Sequence, residues 1–493
     1  MMKMKTRKIA SLLLGTCLAF STTSCNDWLD VTPQAQVSGE KIFSSPAGYE
    51  SVLYGIYISM TEPKTYGRNL TFGLMDVLSQ YYTTYTNKTH TLYEASMYNY
   101  EHGGIRDLID QIWLSNYNSI ANCNILLENL AGRAPEYFDY DHYRLLKGET
   151  LALRAYLHFD LLRAFALNYK EFPEAMGIPY AESFHQKIHP QLKIKEVLEK
   201  SLADLTEARR LLKDIDPVFD DSFKEPIYHF AQPLDNNDIF ASYRAYRMNY
   251  YAVTALMARI YHYMGNDAEA VKYAEEVIQA ADKGYFQFTK ESDLSAELQN
   301  RDIIMQNELI FALDGLDVQQ TFYACDAKNT DSFPLLDAQE LYPDADDFRH
   351  YIIGESSNNG KVISYKYMKT NSNSSSNAGK IPMIRLTEMY FIAAASSFQT
   401  DKEKAVNYLK HVRKMRGAAQ TVNADSYEAF LKDLTTEVRR EFVGEGQLFY
   451  WYKNHNLPVL RKGSELMLTP KQECLPMSAN EVEFGNRVED YLK

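Results

Sequence analysis

Leu256-Met257-Ala258-Arg259-Ile260-Tyr261-His262-Tyr263-Met264-Gly265-Asn266-Asp267-Ala268-Glu269-Ala270-Val271-Lys272-Tyr273-Ala274-Glu275-Glu276-Val277-Ile278 is the stretch whose reading decides the fold. Leu256, Met257, Ile260, Tyr261 and Met264 fall at i, i+1, i+4, i+5 and i+8, which is one apolar stripe on a helix. Gly265-Asn266-Asp267 ends that stripe, and Ala270, Ala274, Val277 and Ile278 begin a second. The spacing predicts a helix–turn–helix of about 34 residues. Ala258, Ala270 and Ala274 are small, so two helices can approach closely where they cross.

Outward from this unit the pattern recurs. Ala258, Tyr261, Gly265, Ala270 and Ala274 occupy the small and aromatic positions of a tetratricopeptide (TPR) unit. Thr387–Arg416 repeats the pattern with Ala393, Ala405, Leu409 and Val412. Glu149–Ala166 is apolar nearly all round, through Leu151, Leu153, Tyr156, Phe159, Leu162 and Phe165, which predicts a buried helix with Ile194–Leu212 as its partner. Ile112–Leu130 and Tyr427–Tyr452 also read as helices. One such unit cannot bury its own apolar face, so at least three must stack. The expected fold is mostly α, with TPR-like helix pairs over about 112–212, 249–282 and 387–452 and large irregular loop insertions over about 76–104 and 284–380. Thr370–Asn377 reads as a flexible polar loop within the second insertion. Loops this long in a compact domain are usually functional.

The first residues bear on compartment. Lys3, Lys5, Arg7 and Lys8 precede an apolar run from Ile9 to Phe20, and small residues then lead to Cys25. That is the pattern of a secretory signal. Its apolar part falls short of the ~20 residues a spanning helix needs. Small residues ending in Cys at this distance resemble a bacterial lipobox. The resemblance implies a signal over residues 1–24, a mature domain over 25–493, and acylation of Cys25. Acyl chains at ~0.8 kcal/mol per buried CH₂ would anchor it. The net charge of −13 falls to about −17 once the four cations leave, which disfavours nucleic acid as a partner.

A search for chemistry returns little. Cys123, Cys325 and Cys474 are widely spaced and form no CxxC pair. Gly354 to Lys361 departs from a phosphate-binding loop in spacing, and Val362 replaces the Ser or Thr that would hold magnesium. Glu441 and Glu445 are one turn apart, and the neighbouring Arg439 and Arg440 favour ion pairing over a glycosidase pair. Asp344, Asp346 and Asp347 read as a solvated loop before a calcium site. The expectation is a binding protein with no catalytic residues, no metal and no cofactor.

Cys25 to Pro33, Phe43 to Tyr57, Gly148 to Leu161, Asn307 to Ala312, Ile381 to Glu388, and Val438 to Gln447 stand in this order along the chain. Together they resemble the SusD/RagB family of outer-membrane nutrient-binding lipoproteins. The resemblance spans nearly the whole mature chain. It implies a lipid-anchored outer-membrane protein facing the cell exterior. Such a protein binds a glycan or oligosaccharide and delivers it to a SusC-type TonB-dependent transporter. A same-fold binder of peptide or another non-sugar nutrient is the alternative.

Sugar recognition needs aromatic faces for the ring and polar groups for the hydroxyls. The chain has 37 Tyr and 24 Phe but 3 Trp, so an aromatic platform would be built from Tyr and Phe. Asp76–Gly104 carries Tyr81, Tyr82, Tyr85 and Tyr98 among Gln80, Asn87, His90 and Asn99. It lies where sugar-binding family members supply ligand contacts. Phe322 and Tyr323, in the long insertion, form a second candidate.

Overall fold

The computed structural model describes residues 41–138, 140–185, 188–233, 238–368 and 378–492. The signal, Cys25 and Thr370–Asn377 lie outside the described residues. The chain forms two units, residues 1–49 and 50–493. In the first, the rings of Phe43 and Tyr49 meet edge to face at 4.8 Å.

The fold is mostly helical. The principal helices are α1 (Pro46–Met60), α2 (Gly103–Ala131), α3 (Tyr140–Phe165), α4 (Ile194–Leu212), α5 (Tyr250–Met264), α6 (Asp267–Asp282), α7 (Leu386–Ser397), α8 (Lys402–Met415), α9 (Tyr427–Glu441) and α10 (Leu448–His455). From α2 to α8, each helix packs on the next. That is the stacking the repeated pattern predicts, since each helix buries its apolar face only against a neighbour. Residues 151–168 of and beyond α3 are buried throughout.

The deciding unit is built as its sequence demands. Asn249 caps α5 by accepting from the N–H of Ala252, and Asn266 caps α6 by accepting from Glu269. Gly265, at φ +71°, ends α5 in the left-handed conformation that glycine adopts without a Cβ clash. Ala258, Ala270 and Ala274 are fully buried at the crossing.

The long insertion is closed at its base by two antiparallel strands, β1 (Leu309–Asp314) and β4 (Lys380–Arg385), with Leu309 opposite Arg385 and Asp314 opposite Lys380. Between them lie a helix, Val318–Asp326, and a hairpin of β2 (Ile353–Glu355) and β3 (Val362–Ser364). Strand β4 runs directly into α7.

The helix expected over Tyr427–Tyr452 is two helices. The chain breaks at residues 442–447, where Gly444 and Gly446 take φ +84° and +70°. Their N–H groups converge on buried Asp76, at 2.7 and 2.9 Å. A Cβ on Gly446 would lie 2.1 Å from the carbonyl oxygen of Leu70, so the turn requires glycine. Glu445 therefore lies outside the helix that ends at Glu441.

Glu441 and Glu445 belong to a buried ionic network. Arg416 binds Glu308 at 2.6 Å and Glu441 at 2.6 Å. Arg385 binds Glu441 and Glu445, each at 2.9 Å. Arg349 binds Asp347, Glu437 and Glu441 at 2.6, 2.8 and 3.1 Å. Lys366 donates to Glu445 and to the carbonyl of Glu441. The network ties the base of the insertion to the ends of α8 and α9. A second buried set joins Glu149 of α3 to Arg244 and Arg247, and Arg244 also binds Asp216.

Candidate functional site

The two loop segments singled out by sequence meet. Tyr82 and Leu335 form an antiparallel bridge, flanked by bonds from Thr83 N–H to Pro334 (2.9 Å) and from Leu336 N–H to Tyr81 (2.7 Å). Further along, Thr91 N–H donates to Thr330 at 2.9 Å, and its hydroxyl donates to Asp331 at 2.8 Å. Asn87 donates to the carbonyl of Asn329 at 3.1 Å. Two chain segments some 240 positions apart thus share one ladder, which fixes the side chains between them.

Along this seam opens a polar cleft of about 220 Å³. Thr83, Thr84, Thr86, Asn87 and His90 line one side, and Asn329, Ser332, Pro334 and Lys361 line the other. The 3₁₀ turn Thr83–Thr86 presents the threonines. Thr86 donates its hydroxyl to Thr83, and Asn87 accepts from both N–H and hydroxyl of Thr89. His90 accepts at Nδ1 from Leu92 N–H (3.0 Å), so the proton sits on Nε2, which donates to the carbonyl of Ser332 (2.9 Å). Burial pushes its pKa below the ordinary histidine value, keeping the ring neutral. Thr84 is 2% exposed, and its hydroxyl has no hydrogen-bond partner. Such a buried polar group is costly unless something binds it.

Lys361 reaches the cleft from the β2–β3 hairpin, whose turn takes Gly360 to φ +67°. Its ammonium donates to the amide oxygen of Asn329 at 3.1 Å. The hairpin is held to the Val318–Asp326 helix by Asp326, which accepts from Ser356 (2.6 Å) and Asn358 (2.7 Å).

The aromatic candidates divide. Tyr81, Tyr82, Tyr98 and Phe322 are buried. Tyr81 donates to the carbonyl of Arg439 (2.7 Å), Tyr82 to Asp76 (3.3 Å) and Tyr98 to the carbonyl of Leu78 (2.8 Å). Phe322 packs against Phe72 at 5.2 Å. These rings hold the loops on the scaffold and present no open face. Tyr85 is half-buried, with the Arg461 guanidinium 4.4 Å from its ring centre. Tyr323 is 45% exposed, on the helix that Asp326 ends. The threonines, Asn329 and Lys361 were missed by a search for aromatics. The run Thr83-Thr84-Tyr85-Thr86-Asn87 was the available signal, since hydroxyls and amides crowd one short turn there.

A second cleft, of about 520 Å³, has a different character. Ile227 and Phe230 face Asp293, Asn300, Asp302 and Gln306 across it. Burial raises the Asp302 carboxyl to about 7.

Elsewhere the candidate chemistry is committed to structure. Glu441 and Glu445 are clasped by arginines. Asp347 is buried against Arg349, and Asp344 accepts from the N–H groups of Asp346 and Ala419. Among the described residues, no group of three or more His, Cys, Asp or Glu is arranged to hold a metal, and no helix is long and apolar enough to cross a membrane. Cys123, Cys325 and Cys474 are buried and unpaired.

Two family models match consecutive stretches. One, described as starch-binding associating with outer membrane, matches residues 27–231. The other, described as the SusD family, matches residues 247–452. Solved structures share the fold. A SusD superfamily protein from Bacteroides thetaiotaomicron is 23% identical at a TM-score of 0.69, covering 89% of this chain and 98% of that one. A SusD-like carbohydrate-binding protein from Bacteroides vulgatus is 18% identical at 0.70, covering 91% and 98%. The surface glycan-binding protein A of Bacteroides fluxus is 16% identical at 0.63, covering 91% and 98%. No curated protein sequence matches the chain.

Proposed function

The chain belongs to the SusD family, and from that premise we propose that it captures a glycan or oligosaccharide at the outer membrane and delivers it to a SusC-type TonB-dependent transporter. The family is one of carbohydrate-binding, outer-membrane-associated proteins. In this reading residues 1–24 are a signal, residues 25–493 are the binding protein, and acyl chains on Cys25 hold it at the membrane.

One observation carries the placement of the ligand. The polar cleft between residues 83–90 and 329–334 presents hydroxyls, amides and one ammonium, with the Thr84 hydroxyl unpartnered. Sugar hydroxyls need such groups, held on a rigid frame. Tyr323, 45% exposed on the Val318–Asp326 helix, is the candidate aromatic that keeps an exposed ring, the kind of surface a pyranose packs against.

Calorimetric titration against a polysaccharide panel tests the reading. Asn329→Ala and Thr84→Val should each weaken binding about threefold to tenfold, the net worth of one hydrogen bond. Unchanged affinity in both variants would place the ligand elsewhere. Cys25→Ala should release the protein from membranes while leaving its solution affinity intact. Co-purification with a SusC-type barrel from native membranes tests delivery.

A further inference from the structure

We propose that the cleft at residues 83–90 selects saccharides bearing an anionic substituent, with Lys361 as the residue that reads the charge. This rests on the glycan-binding reading of the same cleft.

The chain as a whole is acidic, with 65 Asp and Glu against 52 Lys and Arg. The second cleft holds the carboxylates of Asp293 and Asp302. The first cleft holds none. Among its lining residues Lys361 is the one charged side chain, because His90 is neutral. The Lys361 ammonium meets no carboxylate among the described residues, and its partner is the neutral Asn329 amide oxygen. That bond uses one of three ammonium protons and turns the amide NH₂ of Asn329 into a free donor pair beside it.

Two charges outside the lining act on His90 with opposite sign: Asp331, the stronger, and Arg68, whose Nε is buried without a hydrogen-bond partner. Asp331, the acid nearest in sequence to this wall, lies outside the lining and accepts the Thr91 hydroxyl.

Neutral sugars are donors as much as acceptors, and their vicinal hydroxyls pair best with carboxylates. A site rich in donors and empty of carboxylates calls for a ligand that brings strong acceptors. A ring carboxylate or a sulfate ester does so, and each forms a charge-assisted hydrogen bond with an ammonium. Lys361 is exposed on a hairpin turn, so it remains free to meet such a group without a desolvated partner to lose.

The test is titration of the full-length mature protein with matched probes. Oligogalacturonate is compared with its methyl ester, and a carrageenan oligosaccharide with its desulfated form. The charged member of at least one pair should bind about tenfold or more tightly than its neutral counterpart. Which pair responds separates carboxylate from sulfate. Lys361→Met should abolish that difference and flatten the salt dependence of binding, and Lys361→Arg should retain it. If neutral members bind as well as charged ones, and Asn329→Ala weakens both, charge selection is overturned while glycan binding at the cleft stands. If a charged probe binds but Lys361→Met leaves its affinity unchanged, Lys361 is not the reader. If no saccharide, charged or neutral, binds, both readings fall together.

Discussion

Lys361 and Lys366 flank the same short strand, β3, and the difference between their surroundings separates two kinds of polar region in this protein. Lys366 is buried, with the Glu445 carboxylate and the Glu441 carbonyl as partners. Around it every arginine of the network faces at least one carboxylate, so its charges are paired within the fold. Lys361 is exposed, with an uncharged amide for company. In the network, polar groups satisfy one another and nothing remains for a ligand. In the cleft they are positioned but left incomplete. Burial raises the strength of an ion pair and the cost of breaking it together, so the network is where substitution does most damage.

The largest effect is expected at Arg416. Arg416→Met leaves Glu308 and Glu441 short of a partner in the interior and should cost about 3–5 kcal/mol in chemical denaturation. Adding Glu308→Leu should recover part of that loss, because it removes one stranded charge. If the single variant loses less than ~1 kcal/mol, water reaches the network and the contrast with the cleft is weaker than the burial implies.

Lys366→Met should cost less, about 2–3 kcal/mol, because Arg385 still holds the other oxygen of Glu445. A loss as large as that of Arg416→Met would show that the Lys366 bond to the Glu441 carbonyl holds the turn after α9 in place.

Asp76 stands between the two regions. It is buried like the network but touched by neutral donors, the N–H groups of Gly444 and Gly446 and the Tyr82 hydroxyl. Burial pushes its carboxyl up to about 8, although those donors and the Lys366 charge pull the other way. The folded pKa lies above the unfolded one. Its contribution to stability is therefore complete below the unfolded pKa of 3.8 and is lost as pH rises through about 8. Wild-type protein should lose unfolding free energy between about pH 5 and 8 more steeply than Asp76→Asn. Equal slopes would mean that the N–H donors keep the carboxylate ionised throughout.

These regions also differ in how far sequence exposes them. The helix pairs were legible because their signal is local. Apolar spacing, the Gly265-Asn266 stop and the small residues at the crossing all lie within one unit. The network was legible only in part. Arg439, Arg440, Glu441 and Glu445 promised ion pairs, but Glu441 is held by Arg349, Arg385 and Arg416, which come from distant segments. The break at Gly444 and Gly446 went unread because its cause, Asp76, lies far away in the chain. The cleft lies in the region the sequence singled out, but the tyrosines it singled out there do not line it. Tyr81, Tyr82 and Tyr98 suggested a platform, but a tyrosine can bury its ring and give its hydroxyl to a carbonyl, which Tyr81 and Tyr98 do. Threonine and asparagine carry no periodic signal, so their convergence with Lys361 appears only once the two segments pair.

The smallest stability effect is expected at Lys361, and it bears most directly on the contrast. Lys361→Met removes an exposed ammonium whose only partner among the described residues is an amide oxygen at 3.1 Å. Neither Asn329 nor any carboxylate is left stranded in the interior, because Asn329 is itself solvent-facing. Unfolding free energy should change by no more than ~0.5 kcal/mol, the usual range for a surface substitution. The same substitution five positions on, at Lys366, should cost several times as much. Equal losses at the two lysines would mean that Lys361 holds the hairpin to the Asn329 wall, and its role would then be structural. A near-zero change at Lys361 with a measurable loss of ligand would leave its charge without a purpose inside the fold, and assign that charge to whatever enters the cleft.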